Sequence, residues 1–167
     1  MKKFVIFLLF MMAGNVVAQT FSIIQKKDSL HILKLDTDST HCEWTLKFPV
    51  YGFCTGDIDG DGIEEAMVGV IKPTRFIHQT DKRLFIYKNY KGNIQRMWMG
   101  SKIGGQIIDF CCLDGILICM SKMEENKYVI AKWKPARFGL DFVGYIAEDI
   151  DEQTAFSSFN ELLNSSK

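Results

Sequence analysis

Four carboxylates in one short stretch are the residues of this chain whose types and spacing could do chemistry. The stretch reads DIDGDGIEE and places acidic side chains at Asp57, Asp59, Asp61 and Glu65, with two glycines between them. Hard oxygen donors on a sharply turning loop suit Ca²⁺, which takes six to eight oxygen ligands at about 2.3–2.6 Å. The stretch therefore predicts a calcium site.

The spacing also predicts which atom each residue gives to the ion. Asp57, Asp59 and Asp61 supply side-chain oxygens at loop positions one, three and five. Ile63 supplies its backbone carbonyl at position seven, and Glu65 a carboxylate at position nine. An EF-hand is disfavoured because it needs an acid at position twelve and helices on both sides. An acidic turn without an ion remains the alternative, since solvent can relieve repulsion between exposed carboxylates.

Short strands flank this loop along most of the chain. The runs are four to eight residues long, rich in aromatic and β-branched residues, and bounded by turn residues, which is typical of strands. The dipeptide Asp114-Gly115 predicts a two-residue hairpin turn. The predicted strands cover residues 29–36, 41–48, 65–71, 83–89, 94–99, 106–112, 116–120, 128–133 and 140–146.

The predicted strands repeat in the same order. Residues 53–99 and 106–146 each give four short antiparallel strands, and residues 21–48 resemble a third unit that lacks its first strand. Units of this size are typical of propeller blades. We therefore predict an all-β fold of blade-like repeats, a partial β-propeller, over residues 19–148. A single antiparallel sandwich or barrel built from the same hairpins is the alternative.

The acidic loop resembles the calcium loop of FG-GAP and VCBS repeats, the blade type of integrin α-subunit propellers and of many secreted bacterial proteins. That pattern is D-x-D-x-D-G-x-x-D/E between two strands, and here it reads from Asp57 to Glu65. The resemblance implies that the ion lies in the turn between the first and second strands of a blade. The loop departs from the pattern at Glu65, where Asp is more usual. The matching turn of the next unit, at Asp114-Gly115, lacks the acidic residues.

The two ends of the chain differ from its middle. Residues 1–18 combine two lysines, an apolar run and small residues before Gln19, as a cleaved secretory signal peptide does. Residues 149–163 carry apolar side chains near helical spacing, with Asp149 or Asp151 as a possible N-cap. We therefore predict a periplasmic or secreted protein with a C-terminal amphipathic helix in residues 149–167. This helix should place Phe156, Phe159, Leu162 and Leu163 against an open sheet face.

Charge and cysteine usage narrow the function classes. Removal of Lys2 and Lys3 from the 20 basic residues leaves 18 against 20 acidic ones, a formal net charge of −2. No basic patch supports nucleic-acid binding, and no segment predicts membrane insertion after signal cleavage. The chain has five cysteines, which are interpreted either as buried thiols or as one or two disulfides.

These features predict a calcium-binding protein, not an enzyme, that recognises a protein or a glycan at the cell envelope. The histidines His31, His41 and His78 are scattered and show no ligand spacing. The alternative is a periplasmic enzyme inhibitor or immunity-type protein, which would use the loop of residues 73–82. An exposed acidic and aromatic groove would favour glycan binding over inhibition. A homo-oligomer could complete a propeller ring, or the blades could form an open stack capped by the helix.

Overall fold

The chain folds into three antiparallel sheets and one C-terminal helix in a computed structural model, which describes residues 19–73, 78–100 and 103–164. The predicted signal peptide, residues 1–18, lies outside the described residues. So do residues 74–77 of the loop 73–82 that the inhibitor hypothesis requires. The prediction of an all-β fold with a C-terminal helix is confirmed.

Each sheet is built from strands that follow one another in sequence, so neighbouring strands within a sheet are consecutive in the chain. The first sheet contains β1 (Gln19–Lys27), β2 (Leu30–Thr37) and β3 (His41–Leu46). The second sheet contains β4 (Val50–Gly56), β5 (Glu65–Lys72), β6 (Asp81–Tyr90) and β7 (Asn93–Met99). The third sheet contains β8 (Gln106–Leu113), β9 (Ile116–Lys122), β10 (Tyr128–Pro135) and β11 (Leu140–Ile150), with a 3-10 turn at Glu124–Asn126.

The three sheets pack face to face in chain order, as blades do. Consecutive side chains of a strand point to opposite faces, so β5 and β6 of the middle sheet serve two cores. Val68 and Tyr87 pack toward the first sheet, whereas Met67 and Ile86 pack toward the third. Burial on both faces explains why residues 66–71 form a nearly continuous apolar run.

Glycines allow the close contact between the second and third sheets, as Gly69 of β5 shows. A Cβ on Gly69 would lie 2.6 Å from carbon atoms of both Phe110 and Tyr51. No side chain fits at that distance, so glycine lets the rings of Phe110 and Tyr51 pack edge to face with their centroids 5.9 Å apart.

The helix α1 (Glu152–Asn164) covers the face of the third sheet that the second sheet leaves free. Asp151 caps it, because its carboxylate accepts hydrogen bonds from the Thr154 backbone N–H and hydroxyl, both at 2.9 Å. These hydrogen bonds lower the pKa of Asp151. The alternative cap, Asp149, is wrong because that residue still belongs to β11. The expected burial is confirmed for Phe159, and Leu162 and Leu163 are half-buried on the same core, but Phe156 is exposed.

Two further sequence expectations are resolved by the fold. The unit at residues 21–48 has three strands, so it lacks the fourth strand that the other two units have. Of these three, β1 was not among the strands predicted from the sequence. The cysteines, all of which lie in the described part, are free thiols: Cys42, Cys54, Cys111, Cys112 and Cys119. Within the described residues, no helix is long and apolar enough to cross a membrane.

Candidate metal centre

The acidic loop of residues 57–64 connects the first two strands of the second sheet. Its buried residue Ile58 packs into the core between the second and third sheets and so fixes the loop to the body of the protein. Asp57, Asp59 and Asp61 converge, and one carboxylate oxygen from each lies within 4.8 Å of the others. The structure thus brings the three predicted aspartate ligands close together, and their role as ligands stays a prediction.

Backbone N–H groups of the loop hold the carboxylates in place. Asp57 Oδ1 accepts hydrogen bonds from Gly60 N at 2.7 Å and Asp61 N at 3.1 Å, and its Oδ2 accepts one from Gly62 N at 2.9 Å. Asp61 Oδ1 accepts one from Ile63 N at 2.8 Å. Gly60 and Gly62 have φ angles of +78° and +85°, a conformation that favours glycine. The main chain itself therefore gathers the acidic side chains.

Glu65 occupies a different environment from the three aspartates. Its side chain is fully buried, and one oxygen accepts a hydrogen bond from Ile58 N at 3.0 Å. The other oxygen is buried and has no hydrogen-bond partner among the described residues. Burial, followed by the charge of Asp59, raises the pKa of Glu65 to about 7, and the Ile58 N–H opposes the rise. A cation would stabilise a carboxylate in this position, since one of its oxygens lacks both solvent and a donor.

One further predicted ligand, Ile63, belongs to the loop. Ile63 is exposed, and the ligand role of its carbonyl stays a prediction. Its neighbour Glu64 is also exposed, and the Glu64 carbonyl accepts a hydrogen bond from Gln19 Nε2 at 2.7 Å. Glu65 is not among the three residues whose oxygens lie within 4.8 Å of one another. The structure thus gathers the three aspartates and leaves Glu65 beside them.

Sequence reasoning missed that the third sheet forms one wall of this site. A cleft of about 530 Å³ runs from the acidic loop to the turn at Asp114 and Gly115, and it also borders Lys134. The signal for this contact was present, because Asp114-Gly115 is the matching turn of the next unit. Stacked blades place equivalent turns side by side.

The donor set of the loop, with three carboxylates close together, is of the kind that hard cations prefer. Comparison of the chain with protein-family models, with curated proteins and with solved structures gives no match. The assignment of function therefore rests on the geometry of the loop and of the neighbouring clefts.

Proposed function

We propose that the loop binds one Ca²⁺ through Asp57, Asp59 and Asp61, with Glu65 and the carbonyl of Ile63 completing the site. The observation that carries this proposal is the convergence of three carboxylates beside a buried carboxylate oxygen that lacks a donor. Ca²⁺ suits such a site better than Mg²⁺, because Mg²⁺ prefers a smaller octahedral shell and keeps several of its waters.

The proposed role of the ion is to stabilise the contact between two sheets. The acidic loop belongs to the second sheet and shares its cleft with a turn of the third sheet. An ion that binds only the folded state adds about 2.7 kcal/mol to the free energy of unfolding at a hundred times its dissociation constant.

Titration calorimetry of protein stripped with EGTA tests the metal site. We expect binding of one Ca²⁺ per chain and weak competition by Mg²⁺. Asp59→Ala should abolish both the heat and the calcium-dependent rise in melting temperature, whereas Asp38→Ala, an exposed acid in the β2–β3 turn, should change neither. Absence of heat with the unmodified protein at millimolar Ca²⁺ would refute the site.

At the level of the whole protein, we propose an exported, non-enzymatic module that recognises a protein or a glycan at the cell envelope. The all-β stack, the proposed calcium loop and the leader-like residues 1–18 support this role, although fold by itself does not establish function. Pull-down from the native envelope with wild-type protein and with Asp59→Ala tests it. A specific partner retained by the wild-type protein is the expected result, and loss of that partner from Asp59→Ala would show that recognition also needs the ion.

A further inference from the structure

Two adjoining cavities lie along the third sheet, and neither is lined by residues of the acidic loop. The inner one, here called the niche, has a volume of about 140 Å³ and is lined by Ala131, Trp133 and Phe142 among others. The outer one, here called the mouth, measures about 710 Å³, which lies in the range of ligand-binding clefts. Both cavities are lined by Val129 and Tyr145, so they adjoin and are here called the cleft.

Three aromatic rings form one wall of the niche. The ring centroids of Trp133 and Phe142 are 5.5 Å apart, and those of Phe142 and Tyr145 are 4.7 Å apart. In a regular strand, Phe142 and Tyr145 would point to opposite faces, because they are three residues apart. A shift in the register between β10 and β11 beside Trp133 brings both rings to the niche. Phe142 and Tyr145 remain 49% and 50% exposed, so their rings are available to a ligand.

Polar groups accompany these rings inside the niche. Ser121, only 3% exposed, contributes to its lining. The indole N–H of Trp133 is buried, and none of the described residues accepts its hydrogen. Buried donors normally have an acceptor.

Negative charge predominates at the mouth. Four carboxylates face two ammonium groups, and the ammonium groups already have neighbours. Lys127 Nζ donates to the Asp149 carbonyl at 3.5 Å, and Lys122 Nζ lies 5.8 Å from the ring centre of Tyr128. The carboxylates belong to Glu124, Glu125, Glu148 and Asp149.

We propose that this cleft binds a glycan of pyranose rings that carries amino groups instead of carboxylates. A pyranose has an apolar C–H face, which packs on half-exposed aromatic rings, and hydroxyl donors around its edge. Carboxylates accept hydrogen bonds from such hydroxyls and attract ammonium groups, whereas they repel acidic sugars. The inference rests on the recognition part of the proposed function and does not depend on the metal site.

The test is calorimetric titration of the full chain with four probes at an ionic strength of about 50 mM, where charge effects are large. The probes are glucosamine tetramer, N-acetylglucosamine tetramer, galacturonate tetramer and trilysine. We expect the glucosamine tetramer to bind about tenfold more tightly than the neutral tetramer, a difference of about 1.4 kcal/mol. The galacturonate tetramer and trilysine should bind more weakly than both. Equal or tighter binding of either would overturn the proposal, since it would show an anion site or a site for basic peptides.

Matched variants locate the binding. Phe142→Ala should weaken binding of both amino-sugar tetramers at least tenfold, whereas Phe138→Ala, an exposed ring outside the cleft, should have no effect. Glu148→Gln should weaken only the charged tetramer, and Asp141→Asn should leave its binding unchanged. Undiminished binding by Phe142→Ala would overturn the assignment. Calcium binding without glycan binding would refute this inference alone, and glycan binding without calcium binding would refute the metal site alone.

Discussion

Gly115 of the β8–β9 turn lies directly against the backbone of Asp57, the first residue of the acidic loop. A Cβ on Gly115 would lie 2.8 Å from the Asp57 carbonyl oxygen, and Gly115 has a φ angle of +70°. The third sheet therefore touches the proposed metal site through backbone atoms, which cannot move aside as a flexible side chain can.

This contact predicts that Gly115→Ala destabilises the fold and weakens calcium binding together. The left-handed conformation alone costs about 1–2 kcal/mol for a residue with a Cβ, and displacement of Asp57 adds to that cost. Chemical denaturation and calcium titration measure the two effects.

Gly104→Ala is the control for backbone strain. Gly104 has a φ angle of +61°, but a Cβ there would meet nothing within 4 Å. This variant should lose stability through strain and keep its calcium affinity. Equal calcium affinity in both variants would show that the contact between Gly115 and Asp57 does not shape the metal site.

Glu65→Gln should have opposite effects on stability with and without calcium. In the ion-free protein, the pKa of Glu65 is raised from 4.5 to about 7, so ionising this buried group is less favourable in the folded than in the unfolded chain. The ion-free free energy of unfolding should therefore fall as the pH rises from 4.5 through about 7. At about pH 8, Gln should stabilise the ion-free protein by an amount on the order of 1–3 kcal/mol.

With calcium present, the same substitution should be destabilising, because it removes a charged ligand. Thermal unfolding with EGTA and with Ca²⁺ compares the two states. Glu64→Gln is the control, since Glu64 is the exposed neighbour and should respond weakly in both conditions. A loss of stability in Glu65→Gln under EGTA would contradict the prediction.

Local patterns predicted most strands and the acidic loop, because both depend on neighbours in sequence. The period of two is visible wherever a strand has one or two buried faces, and the hairpin at Asp114-Gly115 follows from turn chemistry. The strand β1 was missed because only its first half alternates, and its last residues, from Ile24 to Lys27, are exposed.

Features that combine distant segments could not be predicted in the same way. The acids around Asp149 resemble a helix start, yet β11 continues to Ile150 because that residue pairs with Tyr128 of β10. The niche was also missed, since its lining comes from several hairpins and from a register shift that no local pattern reveals. Trp133 and Tyr145 were visible as strand aromatics, but their common face depends on tertiary pairing.

His41 should titrate above its usual pKa in the folded protein. A hydrogen bond to the Asp36 carboxylate is the main cause of the raised pKa, and one to Glu43 at 3.4 Å adds to it. Because the folded pKa lies above the unfolded value of 6.5, the resulting stabilisation is fully present below pH 6.5 and is lost as the pH rises through the folded pKa.

An NMR titration of the His41 ring measures this shift. Asp36→Asn should bring the pKa back toward 6.5 more than Glu43→Gln does, because the Asp36 hydrogen bond contributes more. A wild-type pKa at or below 6.5 would show that the polar cluster on the first sheet does not form in solution.

Phe159 and Phe156 of α1 provide a matched test of the helix as a cap for the third sheet. Phe159 is 2% exposed and packs in the core with Met120 and Ile130, whereas Phe156 is 41% exposed on the same helix. Loss of a buried Phe side chain costs about 3–5 kcal/mol, so Phe159→Ala should lower the free energy of unfolding by that amount. Phe156→Ala should change the free energy of unfolding by less than about 0.5 kcal/mol.

Because a loosened helix would expose the apolar face of the third sheet, Phe159→Ala should also promote association, which sedimentation velocity detects. Two variants of equal stability and equal mass would mean that the third sheet is stable without α1, and the helix would then be free to bind a partner.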